Sequence, residues 1–376
     1  MRIVIAMDKF KGTLTAAEAS QAVADGLRDA SSGIQVDLLP VADGGEGTTA
    51  AVHMALEGDL RHIAVPNAVG SALVKAPVLF IEQEGRRIAV MEMSAAAGLE
   101  QLQESEYDPF AASTLGVGQM LIYAEEQGAR ELIIGIGGSA TNDGGSGMAT
   151  AYGYQFEDVT GQPIERVPEQ LQQAVVIRRP KNFVAPKVTV ACDVTNPLLG
   201  VTGATYTYAK QKGASADDLA ALESRMAHLA DLAVASLGSD HRDAAGAGAA
   251  GGLGFGLMTF LDATLQPGFP LLAGILKIEE RIAAADVVIT GEGSIDAQTC
   301  NGKAPMGVAT IARRLGKPVI AIGGQVDAEA VASLFDHVIG LVNGQTTARE
   351  AMADAGRILR QRARDAAEWI DLAVNQ

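Results

Sequence analysis

The chain has little of what several protein classes need. Two cysteines, Cys192 and Cys300, make neither a disulfide framework nor a CxxC metal pair, and both read as ordinary small residues near loops. Aromatics are only 4% of a chain that is 48% hydrophobic, so its cores must be built from Ala, Val, Ile and Leu, which suits α/β layers. Basic residues are outnumbered, 29 against 45 acidic ones, and the formal net charge of −16 includes no Lys/Arg block. That balance excludes nucleic acid and an anionic membrane surface as partners. No apolar run is a convincing membrane span, because residues 244–261 are uncharged but interrupted by six glycines. Met1–Met7 has no cleavage site and reads as a strand, which makes a cytoplasmic protein the expectation. No GxxxxGK[ST], HExxH, kinase HRD or DFG, or Cys/His cluster occurs, and GxSxG fails its spacing.

Glycine is abundant, and its placement is the main signal. Four Gly-rich or acidic loops each follow an apolar run: Ala42–Thr48, Gly137–Gly145, Cys192–Pro197 and Thr290–Asp296. Glycine lets backbone approach a ligand and turn its N–H groups inward, while neighbouring carboxylates can hold Mg²⁺ or a substrate hydroxyl. Four such loops in one chain indicate an enzyme acting on a phosphorylated or polyhydroxylated small molecule. The candidate cations for an anionic group are Lys9, Lys11, Lys210, Lys212 and Lys303. Lys303 near a helix start is disfavoured by the helix dipole, which argues that it faces an anion.

With 376 residues the chain is long for one core, and about two domains are expected. Ile3–Met7, a helix opening on the capping box Thr15–Glu18, Val36–Val41 and a helix over Thr48–Leu56 make a βαβα start. Val74–Glu82 and Arg87–Met93 predict a hairpin, and Thr114–Gln127 a helix. Leu132–Ile136 and Val188–Ala191 read as strands feeding two of the loops, and Asp217–Leu237 as an amphipathic helix. Alternation returns with strands Val287–Thr290, Val319–Ile322 and Val338–Leu341, helices Pro305–Leu315 and Glu329–Phe335, and a long last helix opening at Thr347. Two N-terminal and three C-terminal strands make one flavodoxin-like, doubly wound parallel sheet of order 2-1-3-4-5. The α/β domain built on it spans residues 1–60 plus 271–376 and is interrupted by a second mixed α/β domain over 61–270. Crossing segments are expected near 58–70 and 262–275, with Pro66, Gly70, Gly268 and Pro270 at the bends.

Gly135–Ala140 matches GxGxxG/A, with Glu157 and Asp158 about twenty residues on. An NAD-dependent hydroxy-acid dehydrogenase would rest on that match alone, and Asn142, Gly144 and Gly145 oppose the helix it requires. Gly246–Gly251 fits the same pattern after a polar loop and reads as a packing or hinge segment. A non-catalytic sugar-acid receptor is a third reading, separated from a kinase by ATP consumption.

The blocks Asp8-Lys9-Phe10-Lys11-Gly12, Ala42–Thr48, Gly137–Gly145, Cys192–Leu198, Gln211-Lys212-Gly213-Ala214, Gly248–Gly254, Thr290–Asp296 and Gly302-Lys303-Ala304-Pro305 resemble, in unbroken order, those of the class I bacterial glycerate kinases. The resemblance implies ATP-dependent phosphorylation of D-glycerate, usually at the 2-hydroxyl, with Mg²⁺; glycerate 3-kinase regiochemistry is the nearest alternative. It departs at Lys9, where serine is common, and at Ser294 and Ala297, where arginine and glycine are common. Phosphoryl transfer needs phosphate donors, a metal-holding carboxylate and a cation. Gly137, Gly138, Ser139, Thr141, Asn142 and Gly144 are expected at the nucleotide, with Gly291 and Gly293 as a competing assignment. Lys11, Asp193, Asp296 and Lys303 are the expected catalytic residues, with Asp193 and Asp296 also expected at Mg²⁺. Asp8, Lys9, Asp43, Glu46 and Asn196 are expected at the substrate. A homodimer is compatible with the sequence.

Overall fold

The computed structural model describes residues 1–297, 299 and 303–374, so Cys300 and Gly302 lie outside the described residues. Two compact units divide the chain: residues 1–43, 50–57 and those from Phe269 onward form one, and residues 44–49 and 58–268 the other. Residues 44–49, placed by the sequence reading in the first domain, pack with the second unit.

The first unit is built on five parallel strands. Their order is Gln35–Leu38, Arg2–Met7, Val287–Gly291, Val319–Gly323 and His337–Gly340, the expected 2-1-3-4-5. Every residue of Ile3–Met7 and of Val287–Gly291 is buried, as a parallel strand covered on both faces requires. Ile3, Ile5, Met7, Val23, Leu27, Ile289, Ile320 and Leu359 share one core. Helix Ala16–Ala30 opens on a complete capping box, Thr15 with Glu18. Its Gly26 allows close contact with helix Ala355–Val374, since a Cβ there would sit 2.1 Å from the Arg360 carbonyl oxygen.

Three expectations need correction here. The second strand ends at Leu38, yet the Leu39 and Val41 N–H groups still donate to Ile5 and Met7; Pro40, lacking an N–H, interrupts the regular ladder. The helix expected over Glu329–Phe335 is the single turn Ala328–Val331. The last helix, capped by Thr347 and Glu350 as expected, breaks at Asp354 into Ala348–Ala353 and Ala355–Val374.

A six-stranded mixed sheet carries the second unit, in the order Thr264–Gln266, Val188–Ala191, Glu131–Gly135, Arg86–Glu92, Leu73–Gln83, Asp59–Pro66. The first four are parallel, and the last two extend the sheet antiparallel. The expected hairpin closes through Glu84-Gly85, both at positive φ (52° and 73°), the geometry of a two-residue type I′ turn. The segments expected as crossing linkers are instead regular structure: edge strands Asp59–Pro66 and Thr264–Gln266, and helix Gly268–Ile275. Asp59–Pro66 carries Asp59, Arg61 and His62, a charge that an edge strand tolerates. Gly251 packs rather than hinges, because a Cβ there would lie 1.9 Å from the Thr141 carbonyl oxygen.

Candidate active site

In the first unit the residues after the parallel strands converge where strand order reverses, between Arg2–Met7 and Val287–Gly291. A cavity of about 430 Å³ opens there. Its charged lining residues are Asp8, Lys9, Lys11, Asp43, Glu292 and Lys303, and apolar ones include Phe10, Leu341, Val342, Ala351 and Met352. The Asp8–Lys11 loop is held by Asp8 N–H donating to the Gly291 carbonyl (2.8 Å) and by the Phe10–Leu14 pair, which Gly12 turns at φ 78°. Gly293 lies close under it, its absent Cβ 3.3 Å from Lys11 N.

The electrostatics of this cavity are set by crowded acids. Asp8 is buried and accepts from Lys9 N–H at 2.7 Å. Burial above all, then the neighbouring Asp43 and Glu292 charges, push its carboxyl up to about 7. Burial also raises Glu292, against hydrogen bonds from Lys303 Nζ (3.0 Å) and Thr299 Oγ1 (2.8 Å). Lys303 is the N-cap of helix Ala304–Arg314, which has Pro305 in its first turn. Asp296 lies beside this group, where its Oδ2 accepts from Ser294 Oγ at 2.9 Å; it is not among the residues lining the cavity.

The second unit gathers its own loops at the carboxyl ends of Arg86–Glu92, Glu131–Gly135 and Val188–Ala191. Glu92 accepts from Gly47 N–H (2.9 Å) and Thr49 N–H (2.5 Å), fixing the 44–49 segment that contains Glu46. Backbones approach so closely that a Cβ on Gly135 would stand 2.1 Å from the Gly44 carbonyl oxygen, and one on Gly137 3.0 Å from Gly45 Cα. In the Gly137–Gly145 loop the Asp143 carboxylate is a structural acceptor for Thr114, Gly145 and Gly147. Lys212 Nζ donates to Ser139 Oγ (2.7 Å) and to the Thr141 carbonyl (2.6 Å). Burial lowers its ammonium to about 7, opposed by Asp143. Arg225 donates to the carbonyls of Asn142, Pro109 and Phe110. Asp193 accepts from Gly268 N–H at 2.8 Å, and Asn196 is held by Thr202 and Tyr208.

Of the expected residues, Asp8, Lys9, Lys11, Asp43, Gly293 and Lys303 thus share one cavity in the first unit, with Gly291 at the strand end behind it. Gly137, Gly138, Ser139, Thr141, Asn142, Gly144, Asp193 and Asn196 belong to the loops of the second. Lys212 was one of the five candidate cations, whereas Glu292, Asp143 and Arg225 were not singled out from sequence. Glu292 and Asp143 sit inside quoted motifs, and Arg225 had its own signal, a cation on the buried stripe of Leu222, Met226 and Leu229. The helix that a dinucleotide fingerprint at Gly135–Ala140 would need starts only at Ser146.

A model of the glycerate kinase family matches residues 3–371. The chain is 41% identical over 372 residues to a glycerate kinase of Halalkalibacterium halodurans, covering 97% of each protein. It is 39% identical over 363 residues to the glycerate 2-kinase of Escherichia coli, covering 95% of this chain and 93% of that one. A crystal structure of a protein assigned as glycerate kinase 2 from Salmonella typhimurium LT2 superposes with a TM-score of 0.87 at 38% identity, with full coverage of both chains.

Proposed function

The chain belongs to the glycerate kinase family, and on that premise we propose that it transfers the terminal phosphoryl group of ATP to the 2-hydroxyl of D-glycerate, giving 2-phospho-D-glycerate and ADP. The observation that carries this reading is the cavity at the switch point of the first sheet, lined by three lysines, by carboxylates and by apolar side chains. Nucleotides bind at this place in open parallel sheets, and a cavity of this size is ordinary for one. The base lies against Leu341, Val342 and Met352. Lys11 and Lys303 take the phosphates, and the backbone at Gly293 leaves room for their close approach.

Mg²⁺ carried on a nucleotide asks for one or two protein carboxylates, the remaining ligands being phosphate oxygens and water. No group of three or more His, Cys, Asp or Glu arranged to hold a metal occurs among the described residues. The crowding of Asp8 by Asp43 and Glu292 fits a cation brought in with its substrate, and Asp43 is the residue that would hold it. When bound, Mg²⁺ neutralises charge on the phosphoryl oxygens.

Transfer through a loose transition state is mostly positioning and charge stabilisation. The glycerate hydroxyl oxygen forms the new bond to phosphorus as the bond to the ADP oxygen breaks. The hydroxyl proton passes to the Asp8 carboxylate, whose basicity is raised by burial and by its acidic neighbours. Lys303, oriented by Glu292, offsets charge on the transferring group. The test is to incubate the protein with ATP, Mg²⁺ and D-glycerate and locate the phosphate in the product by ³¹P NMR. A 3-phosphorylated product would move the reading to a 3-kinase. No ATP consumption would refute it.

A further inference from the structure

Ser139 follows Gly138, which holds φ 76° at the turn of the loop. A serine hydroxyl has one proton to give and two lone pairs to accept with. Here it accepts from Lys212 Nζ at 2.7 Å, so its proton is directed elsewhere, and no acceptor for it occurs among the described residues. Lys212 is 1% exposed, and the hydrogen bonds of its ammonium go to neutral oxygens only, Ser139 Oγ and the Thr141 carbonyl. The carboxylate acting on it, Asp143, has both oxygens engaged by Thr114, Gly145 and Gly147. Arg225, also buried, donates to the Asn142 carbonyl of the same loop. Two buried cations therefore stand behind this loop, with Asp143 acting on both and Asp108 on Arg225 as well.

A buried ammonium with no carboxylate hydrogen-bonded to it is costly, and a hydroxyl that accepts from it becomes a stronger donor. We propose that Ser139 Oγ donates a hydrogen bond to an anionic oxygen of a reactant, the glycerate carboxylate or a nucleotide phosphate, and that Lys212 is the positioning residue that orients and polarises this hydroxyl. The choice of reactants rests on the glycerate kinase reading. The alternative is that Lys212 only staples Ser139 to Thr141 to stabilise the loop.

The two are separated by the ligand-induced rise in melting temperature, which subtracts each variant's own stability. Wild type, Lys212→Met, Ser139→Ala and Ser139→Thr are melted with and without D-glycerate, ADP or inorganic phosphate, each alone, and KM is measured for both substrates. A lost charge-assisted contact weakens binding about tenfold or more. At a ligand concentration near one hundred times the wild-type Kd, a tenfold loss cuts the induced shift to roughly half. The expected result is that loss in Lys212→Met and Ser139→Ala, recovery in Ser139→Thr, and a matching rise in KM for one substrate. The arm that loses its shift identifies the oxyanion. Wild-type shifts and KM values in Ser139→Ala and Lys212→Met would overturn the proposal, even if both variants melted lower. Should Lys212→Met fail to fold, the two Ser139 variants decide. If wild type transfers no phosphoryl group to glycerate, the kinase reading falls, while the phosphate arm still tests this contact.

Discussion

Lys303 Nζ donates to Glu292 Oε2 at 3.0 Å, joining the N-cap of a helix to the residue just after the central strand Val287–Gly291. A lysine at a helix N-terminus stands against the dipole, and Glu292 compensates it while leaving it on the cavity wall. Lys303→Met should raise KM for ATP about tenfold or more through a lost charge-assisted contact. Steady-state kinetics check this, and unchanged KM values would leave Lys303 a structural partner of Glu292 only.

Asp8→Asn should separate activity from stability. The carboxyl titrates near 3.8 when exposed and at about 7 in the fold. Between those values the native state keeps a proton that the unfolded state has released, so stability falls as pH rises through the window. Asparagine cannot ionise. In metal-free buffer the variant should melt close to wild type near pH 4, progressively higher than wild type as pH rises to about 7, and by a constant margin above that. Turnover should drop roughly 10²- to 10⁴-fold, the usual cost of losing a positioned base. Wild-type turnover would remove Asp8 from proton transfer, and a pH-independent difference in melting would contradict its raised titration.

Asp43→Asn should raise the Mg²⁺ concentration needed for half-maximal rate by about tenfold, since one carboxylate is a large part of a site that draws only one or two from the protein. Asp296→Ala serves as the comparison, because its carboxylate is engaged by Ser294. A shift in Asp296→Ala alone would exchange the two assignments.

Gly135→Ala should destabilise the second unit. Its new methyl would lie 2.1 Å from the Gly44 carbonyl oxygen, backbone that cannot rotate away. Overpacking of this kind costs about 1–3 kcal/mol or more, and each kcal/mol is roughly 2–4 °C in a unit the size of the second one. Thermal unfolding measures it, and an unchanged Tm would show that the two loops are not in contact.

Much of this molecule was legible in its residue pattern. Short continuous apolar runs such as Ile3–Met7, alternating with helical patterns, read as strands buried on both faces, and counting them gives a five-stranded sheet. Thr15/Glu18 and Thr347/Glu350 marked helix starts because a capping box is local chemistry. What depended on distant partners was not legible. Asp59–Pro66 is a strand only because Leu73–Gln83 pairs with it. Asn196 looks like a ligand-binding residue in one dimension, yet the fold gives its side chain to the Thr202 carbonyl and the Tyr208 hydroxyl. Lys212 was one of five candidate cations in the sequence, and only the fold buries it beneath Ser139. Apolar period and glycine spacing are properties of neighbouring residues, and the sequence by itself determined the strands and loops that follow from them. The tertiary structure alone decided which carboxylates crowd Asp8 and which cations stand behind Ser139, because charge and desolvation depend on groups that meet only after the chain has folded.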